Sequence, residues 1–203
     1  MGTTASYVLR SAAQYTRAII FLLLIGVLLA ITFFDPAISR KWAVALIAGG
    51  AALVWYVALL RPRLLLDQAG LHIRNSFTDR FIPWSSYRDI QLHLGFRILS
   101  ADDAGAHSDR VAAFPASGGF SFARENYFGQ STAKPIPARS SGKYRTTATA
   151  PTASGLIRRL AETAAATDPA PPATRTVRIA IPTLALTAFG IAAQLAGLWL
   201  TLS

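Results

Sequence analysis

Cysteine is absent from all 203 residues. That excludes disulfides, thiolate nucleophiles and cysteine-ligated metal or iron–sulfur centres. Charge is also scarce: Asp, Glu, Lys and Arg make up 15% of the chain, against roughly 25% in a typical soluble domain. The shortage is uneven, because residues 18–34, 42–60 and 179–202 contain no Asp, Glu, Lys, Arg or His. No Gly-x-Ser-x-Gly, no P-loop and no Gly-x-Gly-x-x-Gly occurs, so the usual serine-hydrolase and nucleotide-binding signatures are missing.

What is present begins with those three apolar stretches. As helices they would reach about 26, 29 and 36 Å, against a hydrocarbon core of about 30 Å. Lipid offers no hydrogen-bond partners, so a stretch that enters it must be helical. The first stretch follows Arg10 and Arg17 but is longer than the about 7–15-residue apolar core of a secretory signal. It ends at Phe33-Phe34-Asp35-Pro36, a helix stop, so an uncleaved anchor is expected. The brief connection after it predicts an antiparallel hairpin of spans 18–34 and 42–60, with a third span at 179–202. Trp42, Trp55, Tyr56 and Trp199 near the span ends suit the membrane–water interface. Gly49-Gly50, with Ala45, Ala48, Ala51 and Ala52, gives the second helix a small-residue face for close packing on another helix. Pro182 and Gln194 mark a kink and an interhelical hydrogen bond in the third. With no charge inside any span, an ion or proton path is disfavoured.

Flanking charge sets the expected orientation. Arg10, Arg17, Arg61, Arg63, Arg175 and Arg178 stand on one side of the spans and Arg40 and Lys41 on the other. Six against two places the N-terminal segment 1–17 and the central region in the cytoplasm of a multi-pass membrane protein. The net charge is +10, and residues 61–178 hold 16 Lys and Arg against 9 Asp and Glu. Topology and attraction to anionic headgroups account for this excess. Nucleic acid is not the expected partner, since no interleaved aromatic and basic pattern accompanies the charge.

From Arg63 the hydrophobic period changes to two. Leu64 and Leu66, then Leu71 and Ile73, alternate around Asp67-Gln68-Ala69-Gly70, which reads as a tight turn. A loop at 75–79 leads to the extended piece Arg80-Phe81-Ile82-Pro83-Trp84. Ile90, Leu92 and Leu94 alternate again, with Gln91 and His93 on the other side. Phe96, Ile98 and then Val111, Ala113 suggest two more strands split by an acidic loop at 100–109, and 119–123 suggests another. The expected core is Leu66, Leu71, Ile73, Ile82, Trp84, Ile90 and Leu92. The fold class is therefore an α+β membrane protein carrying a small antiparallel sheet or partly closed barrel over 61–128.

Residues 61–92, RPRLLLDQAGLHIRNSFTDRFIPWSSYRDIQL, resemble the bacterial pleckstrin-homology-like (PH-like) domain of small actinobacterial membrane proteins, among them the low-molecular-weight protein antigen type. The likeness rests on Arg61-Pro62 at the membrane exit, Gly70 before a strand, the Asn75-led loop, and Ile82-Pro83-Trp84-Ser85 followed by Ile90. A two-helix hairpin directly before the domain belongs to the same pattern. The resemblance implies a seven-stranded sheet closed by a C-terminal helix. Residues 153–166 supply that helix, with Leu156, Ile157, Leu160, Ala161 and Ala164 on one stripe and Arg158, Arg159 and Glu162 on the other. Residues 129–152 and 167–178, rich in Ala, Ser, Thr and Pro, read as an insertion and a linker to the third span.

His72, His93 and His107 lack a carboxylate at metal-ligand spacing and read as sheet-surface residues. Asp102, Asp103, His107 and Asp109 lack the ordered calcium-loop spacing and read as a solvated hairpin tip. No catalytic, cofactor or metal residues are assigned. Arg61, Arg63, Arg74, Arg80 and Arg88 are the candidates for anionic-lipid contact, with Lys134, Arg139, Lys143 and Arg145 behind them. The expected function is a non-catalytic adaptor that binds another membrane protein at the cytoplasmic face. An anionic-lipid-binding module is the alternative, and a cell-envelope enzyme subunit a remote one.

Overall fold

A computed structural model of the protein describes residues 6–36, 38, 40–92, 95–114, 142–166 and 174–202. The chain divides into a strand-rich unit, residues 1–12 and 62–179, and a helical unit, residues 13–61 and 180–203.

The helical unit follows from the uncharged stretches. Among the described residues, three helices are long and apolar enough to cross a membrane: α1 (Ala12–Phe34), α2 (Lys41–Trp55, prolonged by a wider π-type turn at Tyr56–Leu60) and α4 (Ile181–Leu202). Leu23, Leu24, Phe189 and Leu195 are each more than three-fifths exposed, which suits a surround of lipid rather than water. The small-residue face of α2 packs on α4. A Cβ on Gly190 would lie 2.8 Å from the Gly50 carbonyl oxygen, and one on Gly197 would lie 2.6 Å from that of Ala43. The two close approaches are seven residues apart on each helix and run in opposite directions, so α2 and α4 are antiparallel and meet through a heptad of small side chains. Gly49 has open space beside it. Aromatic pairs join α1 to α2 at both ends: Phe21 stacks on Trp55 at 4.4 Å between ring centroids, and Phe33 meets Trp42 edge-on at 6.1 Å.

Arg40 and Lys41 have local partners. Lys41 Nζ donates to the Phe33 carbonyl at 2.7 Å, and Arg40 Nη1 donates to the Leu200 carbonyl. Both cations therefore cap the C-terminal ends of helices, where unpaired carbonyls carry partial negative charge.

Among its described residues the strand-rich unit has a six-stranded mixed sheet in the order β8-β1-β2-β3-β4-β9 and a three-stranded antiparallel sheet in the order β5-β6-β7. The strands are β1 (Ser6–Arg10), β2 (Arg63–Leu66), β3 (Gly70–Arg74), β4 (Thr78–Pro83), β5 (Tyr87–Gln91), β6 (Arg97–Asp102), β7 (Gly105–Arg110), β8 (Lys143–Thr147) and β9 (Thr176–Ile179). The amphipathic helix α3 (Ala150–Ala166) follows β8. Thr149 starts it by accepting the Thr152 N–H at 3.4 Å. Alternation buries Tyr7 and Leu9, Leu64 and Leu66, and Leu71 and Ile73 on one side of the six-stranded sheet. Ile82, Ile90, Phe96, Ile98 and Phe114 complete the core, and Ala153, Leu156 and Ile157 of α3 pack into it.

The turn before Gly70 forms as its residues dictate. Asp67 Oδ1 accepts the N–H groups of Ala69 and Gly70, each at 3.0 Å. A side chain at Gly70 would collide with the Ile82 carbonyl on β4. Trp84 is half-buried at the margin rather than anchoring the centre: its indole N–H donates to the Asp67 carbonyl at 2.9 Å, as a buried indole requires. Leu92 likewise only flanks the core.

Several segments depart from the sequence reading. Ser6–Arg10, expected as a terminal segment, is an interior strand, antiparallel to β2 and parallel to β8. Lys143–Thr147 is a strand where an insertion was expected, and Thr176–Ile179 extends the far edge. The acidic stretch 100–109 is no loop; it forms most of the β6–β7 hairpin, whereas Val111 and Ala113 are buried in the turn beyond it. The strand expected at 119–123, together with His93, Leu94, Lys134 and Arg139, lies outside the described residues.

Candidate anion-binding face

Because strand side chains alternate, burying Leu64, Leu66, Leu71 and Ile73 turns Arg63, Leu65, His72 and Arg74 to the opposite, outer face. Register then decides which basic residues meet. Arg63 of β2 is opposite Arg74 of β3, Arg74 is opposite Asp79 of β4, and Asp79 is opposite Arg178 of β9. On the other flank Leu9 is opposite Leu64, so the next residue, Arg10, falls beside Arg63. One transverse row thus crosses five strands as Arg10, Arg63, Arg74, Asp79 and Arg178. On β8, Arg145 is level with Val8 and Lys143 with Ser6, which places both on the same outer face.

Like charges directly opposite on neighbouring strands repel, and Arg63 registers it. Burial, and then the charges of Arg74, Arg10 and Arg145, push its guanidinium below its ordinary value, with Asp79 opposing. The Arg63 Nε is buried without a hydrogen-bond partner. The face therefore concentrates five guanidiniums, Arg10, Arg63, Arg74, Arg145 and Arg178, around one carboxylate, Asp79.

Only part of the basic set expected from the sequence gathers here. Arg63 and Arg74 do. Arg80 lies on the core side of the sheet and is paired with Asp109. Arg88 is exposed on β5 in the other sheet, and Arg61 closes the π-type turn of the helical unit. Arg145, named behind the five candidates, joins them, and Arg10 and Arg178, which complete the cluster, were not named as candidates. Their common face is invisible until β1, β8 and β9 are known to be strands.

The acidic groups are held by neighbours. Asp109 is 1% exposed and takes both Arg80 and Arg175, with Arg175 Nη2 at 2.8 Å from Oδ1 and Nε at 3.1 Å from Oδ2. That bidentate contact outweighs burial and raises Arg175 above its ordinary value. Asp67 Oδ2 lies 2.9 Å from His72 Nε2, and Asp102 Oδ1 lies 2.9 Å from His107 Nε2. Burial pushes Asp67 up, but the hydrogen bond and charge of His72, with the Gly70 and Ala69 N–H groups, overcome it and hold the carboxyl below its usual range. Asn75 bridges the two sheets by donating to the Arg110 carbonyl and accepting the Ala112 N–H, each at 2.8 Å. Among the described residues no three His, Asp or Glu side chains converge on a metal-sized site.

No family model, curated protein or solved structure matches the chain.

Proposed function

We propose that the protein is a non-catalytic, membrane-anchored adaptor whose strand-rich unit has a PH-like fold and binds an extended segment of another membrane protein. The fold assignment is supported by the antiparallel run β1–β4, the second run β5–β7 and the helix α3 after them. In this reading a bacterial PH-like module has taken a transmembrane hairpin between its first two strands and gained an extra strand at each edge of its larger sheet. Orientation toward the cytoplasm is supported by Arg10, Arg63, Arg175 and Arg178 beside the apolar helices, while Arg40 and Lys41 are accounted for as helix caps.

The observation that carries the adaptor reading is the contrast between the two edges of the six-stranded sheet. β8 presents Lys143 and Arg145, the charged residues that discourage strand addition at an edge. β9 carries one cation, Arg178, and is exposed throughout, with Val177 49% and Ile179 67% exposed, and it ends two residues before α4. An edge that exposes Val177 and Ile179 and is joined within two residues to an apolar helix favours β-strand addition by a neighbour in the same membrane. The carboxylates and histidines described above are engaged in structural pairs, which supports a binding role over catalysis.

The test is a photo-crosslinking residue at position 177 in the full chain, in its native membrane, with position 143 as the comparison. The expected result is a discrete protein adduct from 177 that Ile179→Lys abolishes. Equal labelling from 143, or lipid adducts alone, refutes the adaptor reading.

A further inference from the structure

We infer that the outer face of the six-stranded sheet is a binding site for the phosphate of an anionic phospholipid headgroup, formed by Arg10, Arg63, Arg74 and Arg145. This deepens the membrane-anchored reading above and rests on its placement of the apolar helices in a bilayer. It is independent of the β9 edge.

Three observations lead there. The first is the row itself. Neighbouring strands are about 4.8 Å apart, so in-register arginines on β1, β2 and β3 are held within reach of one another by backbone hydrogen bonds rather than by side-chain choice. A fold that fixes like charges this way gains from any anion that enters among them. Asp79 sits at one end of the arginine run, opposite Arg74 and Arg178, leaving the Arg10, Arg63 and Arg145 side dominated by cations.

The second observation is the state of Arg63. Its guanidinium is partly buried, its Nε is without a partner, and three other arginines act on it. Guanidinium groups are weakly hydrated planar forks that match phosphate oxygens two at a time. A phosphodiester is therefore the complementary ligand, with a single negative charge and two free oxygens.

The third is where the row lies along the chain. Arg10 stands two residues before α1, Arg63 three residues after the π-type turn that prolongs α2, and Arg178 three residues before α4. Three residues of the row, Arg10, Arg63 and Arg178, thus each lie within three residues of an apolar helix along the chain. The phosphate that such a row meets at the highest local concentration belongs to the bilayer in which those helices are anchored. Arg88 lies on the other sheet, and Arg80 is committed to Asp109. This separates a defined site from general surface basicity.

The test uses the full chain purified in a zwitterionic detergent and titrated with phosphatidylglycerol or phosphatidylcholine, with bound lipid counted by native mass spectrometry. Phosphatidylglycerol is expected to bind with about tenfold preference, and Arg63→Gln with Arg74→Gln to remove that preference while Arg88→Gln keeps it. Thermal unfolding supplies the second readout. Without lipid the double variant should melt no lower than the parent, because two repelling charges are gone. With phosphatidylglycerol the parent alone should gain stability. Equal binding of both lipids, or unchanged preference in the double variant, overturns the inference. So does a double variant that melts lower without lipid, which would make these arginines structural. Complete displacement of the lipid by millimolar inorganic phosphate would show a site for a free anion, and displacement by duplex DNA a nucleic-acid face; either overturns the lipid assignment. A lipid result of any kind leaves crosslinking from position 177 unaffected, so the two proposals fail separately.

Discussion

Gly50 of α2 and Gly190 of α4 approach so closely that a methyl group on either would press into the other's carbonyl oxygen. Backbone occupies both sides of this contact, so no side chain can swing aside to make room. Gly50→Ala should therefore destabilise the full chain by about 1–3 kcal/mol, the usual range for overpacking. Gly49→Ala, one residue away with open space around it, should be neutral or gain up to about 1 kcal/mol from helix propensity. Thermal unfolding in detergent separates the two; equal losses would mean that α2 and α4 do not meet along this seam.

Asp109 is buried beneath Arg80 and Arg175, whose side chains are 27% and 17% exposed. Asp109→Asn keeps the shape but leaves both guanidiniums without their counter-charge. Removing one partner from a buried ion network costs on the order of 3 kcal/mol. Since Arg80 lies on β4, Asp109 on β7 and Arg175 just before β9, the loss should show in both sheets, measured as hydrogen-exchange protection. A variant as stable as the parent would remove the clamp from the account of the fold.

The depressed Asp67 carboxyl makes stability depend on acid in a defined direction. Its folded value lies below the unfolded one, near 3.9. The stabilisation is thus complete above about pH 4 and is lost as pH falls through the folded value. In Asp67→Asn that part of the acid dependence should vanish, so the stability gap between parent and variant should narrow below about pH 4. A gap that stays constant from pH 6 to pH 3 would show that Asp67 does not act through its charge.

Because the chain contains no cysteine, single cysteines can map its topology without background. Asp103→Cys, in the exposed turn of the β6–β7 hairpin, should react with a membrane-impermeant maleimide only after cells are opened. Leu202→Cys, exposed at the end of α4, should react in intact cells. The reverse pattern would invert the orientation proposed from the arginines.

Much of the architecture could be read from residue order. Uncharged runs give helices almost by exclusion, and the period-two stretch from Leu64 to Ile73 shows both its strands and their buried side. Asp67 and Gly70 announce the turn. What escaped notice were short strands next to louder signals. Ser6–Arg10 is five residues long and runs straight into α1, so its alternation is masked by the apolar helix that follows. Thr176–Ile179 is similarly overshadowed by α4, and Lys143–Thr147 offers only Tyr144 to the core. These three strands carry Arg10, Arg178 and Arg145, so missing them left Arg10 and Arg178 unnamed as candidates and hid the face that Arg145 shares with Arg63 and Arg74. For Arg80, composition shows a cation, and only the fold reveals the buried Asp109 that it meets.

The position of β1 has a consequence for how the polypeptide is made. Its hydrogen-bonding partners in β2 and β8 emerge from the ribosome only after both helices of the hairpin have been synthesised. Residues 6–10 must wait without those partners until the hairpin is complete. They can find their partners only if α1 and α2 have carried the chain out and back to the side where it started. Closing the sheet thus requires the two ends of the α1–α2 hairpin to lie on one side, since β1 and β2 flank it and pair directly.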